Sequence, residues 1–365
     1  MLNGKQYCRR CISFKGEEVE HKPSYPKKAP IHLEYELSPE QKELSNKLVE
    51  NYKKGIDSLV YAVCGSGKTE IVMKVISYCI SKGKKIGFSI PRRDVVFELG
   101  ERLKKVFSDN RVTTVVGGHH NKLIGDIICL TTHQLYRYNN YFDLLIIDEV
   151  DAFPFKNNKV LGEYFKKSCK GNYIVLTATL SKTDIEKYKN ENYSILRLYT
   201  RFHGKPMPVP KIYKLNRVSL FIKLITCIET YIKNGKQVLI FVPTIEICEK
   251  LCAFLSIFIK NGSYIHSKRP KRNETITIFK NGKYKYLVTT AVLERGVTFR
   301  NVQVIIYMAN HSIYDKDSLI QIAGRVGRKA DSPYGDVIYL ATEVTKDMEL
   351  SISEIEEANM HLNYE

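Results

Sequence analysis

The sequence predicts an α/β protein with two tandem lobes, each a mostly parallel sheet covered by helices, after a short N-terminal segment. Short, nearly continuous apolar runs alternate with helical stretches over residues 58–200 and again over about 211–342. This alternation is typical of parallel sheets that are covered on both faces. A proline-rich stretch, Arg201–Pro210, separates the two series and predicts a linker.

The predicted strands follow the apolar runs in chain order. In the first lobe they are Leu59–Val63, Lys85–Ile90, Val112–Val116, Ile127–Leu130, Leu144–Ile147, Tyr173–Leu176 and Ile195–Tyr199. In the second lobe they are Gln237–Val242, Ser263–His266, Tyr286–Thr289, Val302–Met308 and Asp336–Leu340. We expect an N-terminal segment, a first lobe, a linker, a second lobe and a tail helix, at 1–34, 35–200, 201–215, 216–345 and 346–365.

Length, charge and cysteine usage limit the class of protein. The 365 residues are enough for two to three domains, and the net charge of +18 predicts a polyanionic partner, either nucleic acid or an anionic membrane surface. A biased genome is the alternative explanation of the many lysines. The start of the chain does not resemble a signal peptide, no apolar run has membrane-spanning length, and the nine cysteines lie mostly within apolar segments. The sequence therefore predicts a cytoplasmic protein that is at most peripheral to the membrane.

A strand, a phosphate-binding loop and the start of a helix are predicted over Tyr61–Thr69. Two glycines allow successive backbone N–H groups to point at one anion, and the helix N-terminus adds its dipole. The lysine that follows can reach the outer phosphates of ATP, and the threonine hydroxyl is a ligand for Mg²⁺. The predicted nucleotide-binding residues are Gly65, Ser66, Gly67, Lys68 and Thr69.

Gln41 has two interpretations. The segment Ser38–Gln41 is a capping box with proline at the first helical position, so Gln41 has a structural role. In the functional interpretation, its side-chain amide hydrogen-bonds both edges of the adenine of ATP.

Asp148 and Glu149 end an apolar strand, where side chains face the ligand crevice of an α/β sheet. We expect Asp148 to hold Mg²⁺ through water, and Glu149 to orient and deprotonate the attacking water. A solvated acidic turn is the alternative. The triplet Thr177–Thr179 follows the next strand and could relay the state of the γ-phosphate, although an ordinary strand-end turn fits equally well.

Two arginines, each preceded by glycine, end a helix of the second lobe within Gln321–Arg328. Because this lobe has no phosphate loop of its own, Arg325 and Arg328 are available as arginine fingers, which can be worth about 10³–10⁵ in rate. Gln321 is assigned to the same catalytic cluster. A solvated basic helix end is the alternative.

Short hydroxyls, amides and arginines follow several strands and predict contacts with nucleic-acid phosphates along one face. The predicted contact residues are Arg92, Thr132, Gln134, Thr244 and Thr290. The basic run Lys268–Lys285 either widens this positive surface or is only a solvated face.

Cys8 and Cys11 form a C-x-x-C pair, which is half of the ligand set that tetrahedral Zn²⁺ requires. The chain contains no matching second pair. Free thiols and a shortened zinc site are the alternatives.

Together these motifs resemble those of superfamily 2 helicases, which have two RecA-like lobes with ATP between them. The loop fits that superfamily, because Ala62 stands where the strict phosphate-loop pattern has glycine. More narrowly, Asp148–Pro154, Thr290–Val297 and Gln321–Arg328 resemble the ComFA family, ATPases of bacterial natural competence that are related to PriA.

The resemblance to ComFA implies an ATP- and Mg²⁺-dependent motor that binds single-stranded DNA and helps to pull it into the cytoplasm. It also implies the partner protein ComFC, the membrane channel ComEC and a position at the inner face of the membrane, and it leaves room for a homo-oligomer. The family carries an N-terminal zinc module of four cysteines, whose second half Cys8 and Cys11 resemble. The rival functions are a superfamily 2 helicase of replication restart or RNA metabolism, and a nucleotide-gated DNA clamp or scaffold at the membrane.

Overall fold

The computed structural model describes residues 19–118, 122–149, 159–180, 182–293 and 299–362, and the side chains of these residues except 159–161 and 182. The chain forms two compact units. The first extends to Ala62 and continues over Gly67–Leu198, and the second consists of Val63–Ser66 and Tyr199–Glu365.

The first unit is built on a seven-stranded sheet. In chain order, its strands are β1 (Ser58–Ala62), β2 (Ile86–Ile90), β3 (Val112–Val115), β4 (Ile127–Thr131), β5 (Phe142–Asp148), β6 (Cys169–Thr177) and β7 (Ser194–Leu198). They lie in the order β3-β4-β2-β5-β6-β1-β7, and every pairing is parallel. The helices are α1 (Pro39–Lys53), α2 (Lys68–Ile71), α3 (Met73–Ser81), α4 (Arg93–Val106), α5 (Lys159–Ser168) and α6 (Lys182–Asn190), with a 3-10 helix at Thr132–Arg137.

Strand β5 shows how the sheet is buried on both faces. Leu144 and Ile146 belong to the apolar cluster that includes Leu48 of α1. Leu145 and Ile147 point to the opposite face and belong to a second cluster. Because successive side chains of a strand alternate between faces, only a continuous apolar run can fill both clusters. The predicted fold class, a parallel sheet covered on both faces, is confirmed.

The second unit is built on a six-stranded sheet. Its strands are β8 (Lys211–Lys214), β9 (Gln237–Phe241), β10 (Gly262–Ile265), β11 (Tyr286–Thr289), β12 (Val302–Tyr307) and β13 (Val337–Ala341). They lie in the order β10-β11-β9-β12-β13-β8, again all parallel. The helices are α7 (Arg217–Lys233), α8 (Ile245–Phe258), α9 (Arg272–Lys280), α10 (Lys316–Ala323) and α11 (Lys346–Met360). Among the helices of the described residues, none is long and apolar enough to cross a membrane.

The range 201–215, predicted as a linker, contains strand β8. This strand pairs with β13 and forms one edge of the second sheet. In the range predicted as a tail helix, α11 buries Met348 and Ile355. The segment that leads to β8 also contains a fully buried arginine, Arg201, whose contacts are described below.

Gly171 in β6 lies where the chain of β5 comes too close for any side chain. A Cβ built at Gly171 would be 2.0 Å from the backbone oxygen of Asp143. Replacement of Gly171 by alanine is expected to lower the free energy of unfolding by about 1–3 kcal/mol, because a backbone atom cannot move aside easily. Urea unfolding followed by circular dichroism would measure the change.

Gly162 in α5 provides the matched control, because a Cβ built there has no neighbour within 4 Å. Alanine at this helical position is expected to raise stability by up to about 1 kcal/mol. If the two alanine variants changed stability in the same direction and by the same amount, the close approach at Gly171 would not be what requires glycine there.

Candidate nucleotide and nucleic-acid sites

The loop between β1 and α2 has the backbone conformation of a phosphate-binding loop. Gly65 and Gly67 have φ angles of +85° and +79°, in the left-handed region that glycine occupies without strain. Gly67 is the N-cap of α2, and Lys68 is the first helical residue. Because the first N–H groups of a helix have no partners within it, they can donate to an anion held in the loop. The loop and the adjacent Thr69 therefore suit the phosphates of ATP and a bound Mg²⁺.

Gln41 makes the capping box predicted from the sequence and also lies against the phosphate loop. Its backbone N–H donates to Ser38 Oγ at 3.2 Å, and its Oε1 accepts from the Ser38 backbone N–H at 2.9 Å. A Cβ built at Gly67 would be 2.6 Å from Gln41 Nε2. The structural interpretation is therefore correct, and the proximity to the loop leaves the adenine-binding role as a prediction.

A pocket of about 700 Å³ lies beside this part of the first unit. Tyr35 lines it, and the Tyr35 hydroxyl would be 3.5 Å from a Cβ at Gly67. Burial raises the pKa of Tyr35, which keeps the hydroxyl protonated and able to donate. No sequence pattern pointed to Tyr35. The lining residues are Ile31, Leu33, Glu34, Tyr35, Glu36, Leu37, Lys42, Ser45, Asn46, Glu70, Met73 and Lys74.

Asp148 and Glu149 lie at the edge of the sheet where the phosphate loop begins. Asp148 is in register with Leu176 of β6, and Thr177 of β6 is in register with Tyr61 of β1. Since β5 and β1 are separated only by β6, their carboxyl ends are about 10 Å apart. This spacing suits residues that act on one nucleotide and its metal ion from two strands.

Glu149 has a strained backbone. Its φ angle is +61°, and its N–H donates to Asp148 Oδ1 at 3.0 Å. A non-glycine residue in the left-handed region costs about 1–3 kcal/mol, and such residues concentrate at functional sites. The strain favours the catalytic interpretation of this carboxylate over a solvated turn.

The triplet Thr177–Thr179 closes into a tight turn after β6. Thr177 Oγ1 donates to the Thr179 carbonyl oxygen at 2.6 Å, and the Thr179 N–H lies 3.3 Å from the same hydroxyl. Both threonines are buried. The ordinary turn is thus present, and the relay function remains a prediction.

The predicted nucleic-acid residues of the first unit differ in exposure. Arg92 is partly exposed and is the N-cap of α4. Thr132 is fully buried, and Ser89 Oγ donates to its hydroxyl at 3.3 Å. Gln134 is 8% exposed, and its Oε1 accepts from Arg137 Nε at 2.7 Å. Of these three residues, Arg92 is therefore the best placed to contact a phosphate.

In the second unit, neighbouring strands end in groups that suit phosphates. Phe241 at the end of β9 is in register with Thr289 at the end of β11. Thr290, which follows β11, therefore lies beside the start of the segment that leads from β9 to Thr244. Thr244 is the N-cap of α8 and accepts from the Ile247 N–H at 3.2 Å.

Strand β10, next to β11, leads into an open pocket of about 400 Å³. The sequence indicated only a basic run here, and the structure singles out the residues that come together: Ser267, Arg269, Lys271, Arg272, Asn273 and Glu274.

The segment Gly324–Arg328, here named the arginine turn, follows α10. Arg325 is 2% exposed, whereas Arg328 is partly exposed, and its Nε donates to the Gly324 carbonyl at 2.8 Å. Gln321 is buried in α10, where its Oε1 accepts from Cys64 Sγ at 3.4 Å. Arg328 is thus the more accessible of the two predicted arginine fingers.

The candidate zinc ligands Cys8 and Cys11 lie outside the described residues, as do residues 150–154 and 294–297 of the motifs that resemble the ComFA family. The cysteines of the described ranges are free and buried. Within those ranges, no cluster of three or more histidine, cysteine, aspartate or glutamate side chains is suited to hold a metal ion.

Comparisons with known proteins agree with this arrangement. Residues 34–182 match the family model described as type III restriction enzyme, res subunit, and residues 217–330 match the helicase conserved C-terminal domain. The fold resembles Saccharomyces cerevisiae Dbp5 bound to RNA and ADP BeF3 (TM-score 0.64, 18% identity, 88% of this chain and 91% of Dbp5). It also resembles RecG bound to a three-way DNA junction (TM-score 0.64, 17% identity, 93% of this chain and 48% of RecG). The chain is a superfamily 2 helicase, an ATP-dependent enzyme with two RecA-like units.

Curated relatives narrow the assignment. Competence protein ComFA of Bacillus subtilis is 35% identical over 97% of this chain and 81% of its own length, and that of Streptococcus pneumoniae is 34% identical over 98% and 86%. The chain belongs to the ComFA family. The transcription-repair-coupling factor of Staphylococcus aureus is 24% identical over 98% of this chain but only 31% of its own length.

Proposed function

We propose that the chain hydrolyses ATP to move along single-stranded DNA, and that this movement assists DNA uptake during natural competence. Membership of a family of competence proteins and of superfamily 2 supports the proposal. The observation that carries it is that, in each unit, groups suited to bind phosphates follow the carboxyl ends of neighbouring parallel strands.

The ATP site of the first unit uses five side chains in this proposal. Lys68 binds the outer phosphates, while Thr69 and Asp148 hold Mg²⁺, which supplies charge neutralisation when it is bound. Gln41 binds adenine, with the adjoining pocket of about 700 Å³ as the space for the base. Glu149 takes the proton of the attacking water.

The arginine turn supplies the remaining groups. Arg325 and Arg328 stabilise the charge that develops on the transferred phosphoryl group, with Gln321 in the same cluster. Arg328 carries the larger share, because Arg325 is nearly fully buried.

DNA contacts in this proposal follow the strand ends. Arg92, Thr132 and Gln134 serve the first unit, and Thr244 and Thr290 the second. Arg272 and its neighbours at the start of α9 extend the second set, because this pocket lies at the end of β10, beside β11. The net charge of +18 favours the same polyanion.

The cellular setting is proposed from the family resemblance. We place the chain in the cytoplasm at the inner face of the cell membrane, with ComFC and ComEC as partners and with room for a homo-oligomer. Cys8 and Cys11 contribute to a zinc site only if further ligands come from another segment or chain.

The rate of ATP hydrolysis should rise strongly when single-stranded DNA is added, and much less with duplex DNA or single-stranded RNA. Binding through several phosphates also predicts that stimulation weakens steeply between about 50 and 200 mM salt. Steady-state hydrolysis with each nucleic acid at two salt concentrations measures both effects.

Arg272→Ala should raise the concentration of single-stranded DNA needed for half-maximal stimulation, whereas Lys280→Ala, at the exposed far end of α9, should not.

In the comparison of nucleic acids, equal stimulation by RNA, or no stimulation by any nucleic acid, would overturn the proposed function and leave the fold unchanged.

A further inference from the structure

Arg201 holds the arginine turn from the segment that was predicted to be a linker. The side chain is 1% exposed. Its Nη1 donates to the carbonyl oxygens of Val326 and Gly327, both at 2.9 Å, and its Nη2 lies 3.5 Å from that of Gly324. Nε donates to the Cys64 carbonyl at 3.1 Å, within the same unit. One planar guanidinium thus spans four backbone acceptors, a geometry that lysine cannot reproduce.

His203, two residues after Arg201, contacts the same turn. Its Nε2 lies 2.8 Å from the Gly327 carbonyl, and its Nδ1 accepts from the Lys205 N–H at 3.2 Å. Because a carbonyl oxygen can only accept, the proton is on Nε2, and the ring is neutral. Burial, together with the nearby charge of Arg201, lowers the pKa of His203, which favours the same neutral tautomer.

Close packing at Gly327 also restricts the backbone of the arginine turn. Gly327 has a φ angle of +67°, and a Cβ there would lie 2.3 Å from the Pro333 carbonyl and 3.0 Å from Arg201 Nη1. Arg328 Nε donates to the same Gly324 carbonyl that Arg201 approaches. Any movement of Arg201 therefore changes the backbone that carries Arg328.

Arg201 stays charged although it is buried. Desolvation lowers its pKa to about 10, and the neighbouring charge of Arg328 acts in the same direction. At neutral pH the guanidinium is therefore protonated, and carbonyl dipoles rather than a carboxylate compensate its charge. A charge kept in this way orients backbone dipoles, which suits a residue that fixes the shape of a turn.

We propose that Arg201 and His203 are positioning residues for ATP hydrolysis, which fix the arginine turn so that Arg328 reaches the transferred phosphoryl group. The inference rests on the proposed role of Arg325 and Arg328. A displacement of about 1 Å at a catalytic group can cost about 10²-fold in rate. Arg201 and His203 make three hydrogen bonds of 2.8–2.9 Å to the carbonyl oxygens of Val326 and Gly327, the two residues directly before Arg328.

Arg201→Lys and His203→Ala should each lower kcat for DNA-stimulated ATP hydrolysis by about tenfold or more, with KM for ATP changed less than about twofold.

Lys205→Ala, which alters an exposed side chain in the same segment, is the control and should leave kcat and KM unchanged. Turnover is compared well below the melting temperature of each variant, so that unfolding makes no contribution. An unchanged kcat in both positioning variants, or a loss that appears only in KM, would overturn the inference.

A double-mutant cycle separates positioning from a merely structural role. If Arg201 acts through Arg328, then Arg201→Lys should have no further effect on kcat in a chain that already carries Arg328→Ala. Multiplicative losses would show that Arg201 acts on something else. If Arg328→Ala alone leaves kcat unchanged, the proposed arginine finger fails; if it lowers kcat while Arg201→Lys and His203→Ala do not, only the positioning inference fails.

Discussion

The Glu149→Gln variant is expected to hydrolyse ATP about 10²–10⁴ times more slowly than the unchanged chain while still binding it, because the amide cannot accept the proton of the attacking water. Glutamine has nearly the same size as glutamate and meets the same cost at a φ angle of +61°, so the fold should be retained. Steady-state hydrolysis and equilibrium binding of a fluorescent ATP analogue would measure the two effects separately.

The control for this variant is Glu191→Gln, which removes an exposed carboxylate after α6 and should leave turnover unchanged. If Glu149→Gln hydrolysed ATP at the normal rate, the strained carboxylate would have no catalytic role, and the solvated acidic turn would be the correct interpretation.

The Lys68→Ala variant should lose turnover in a different way, because in the proposed function Lys68 contacts the phosphates of bound ATP. Loss of a charge-assisted contact of this kind costs about 3 kcal/mol or more, which corresponds to at least ~10²-fold. Lys68 begins α2, where alanine is a good helix former, so the local structure should persist. Binding of the analogue should weaken together with turnover.

Lys54→Ala, at the exposed C-terminal end of α1, provides the matched control. The contrast between the two active-site variants is the sharper test: weak binding in Lys68→Ala together with normal binding in Glu149→Gln assigns one residue to substrate binding and the other to chemistry. Normal hydrolysis by Lys68→Ala would refute the assignment of the phosphate loop.

Most of the fold could be predicted because long apolar runs and a loop with two glycines are local signals. Strand β8 was missed for a physical reason. It has only four residues with a charge at each end, directly after Pro210, and its place in the sheet comes from pairing with the distant β13. Strand β6 begins at Cys169, four residues before the predicted start, because its first residues are polar and pair with β5 across an irregularity.

The candidate site was predictable to the extent that its residues follow strands or glycines. Gln41 could not be resolved from the sequence, because the same residue both caps α1 and lies beside Gly67. The burial of Thr132 depends on packing beside Ser89 of β2, to which no local pattern points. Arg201 was predicted to be part of a linker, because every carbonyl that accepts from it is more than 120 residues away in the sequence.

Strand β8 also bears on how the molecule behaves at high concentration. An edge strand presents unpaired backbone groups on which another chain can add a strand and begin aggregation. Here that edge is only four residues long, both of its terminal residues are exposed lysines, and a proline precedes it. If a second copy of the chain paired through its own β8, its lysines would lie close to these lysines, and the like charges would repel. The same features that made β8 hard to predict from the sequence therefore disfavour pairing of another chain at this edge of the second sheet.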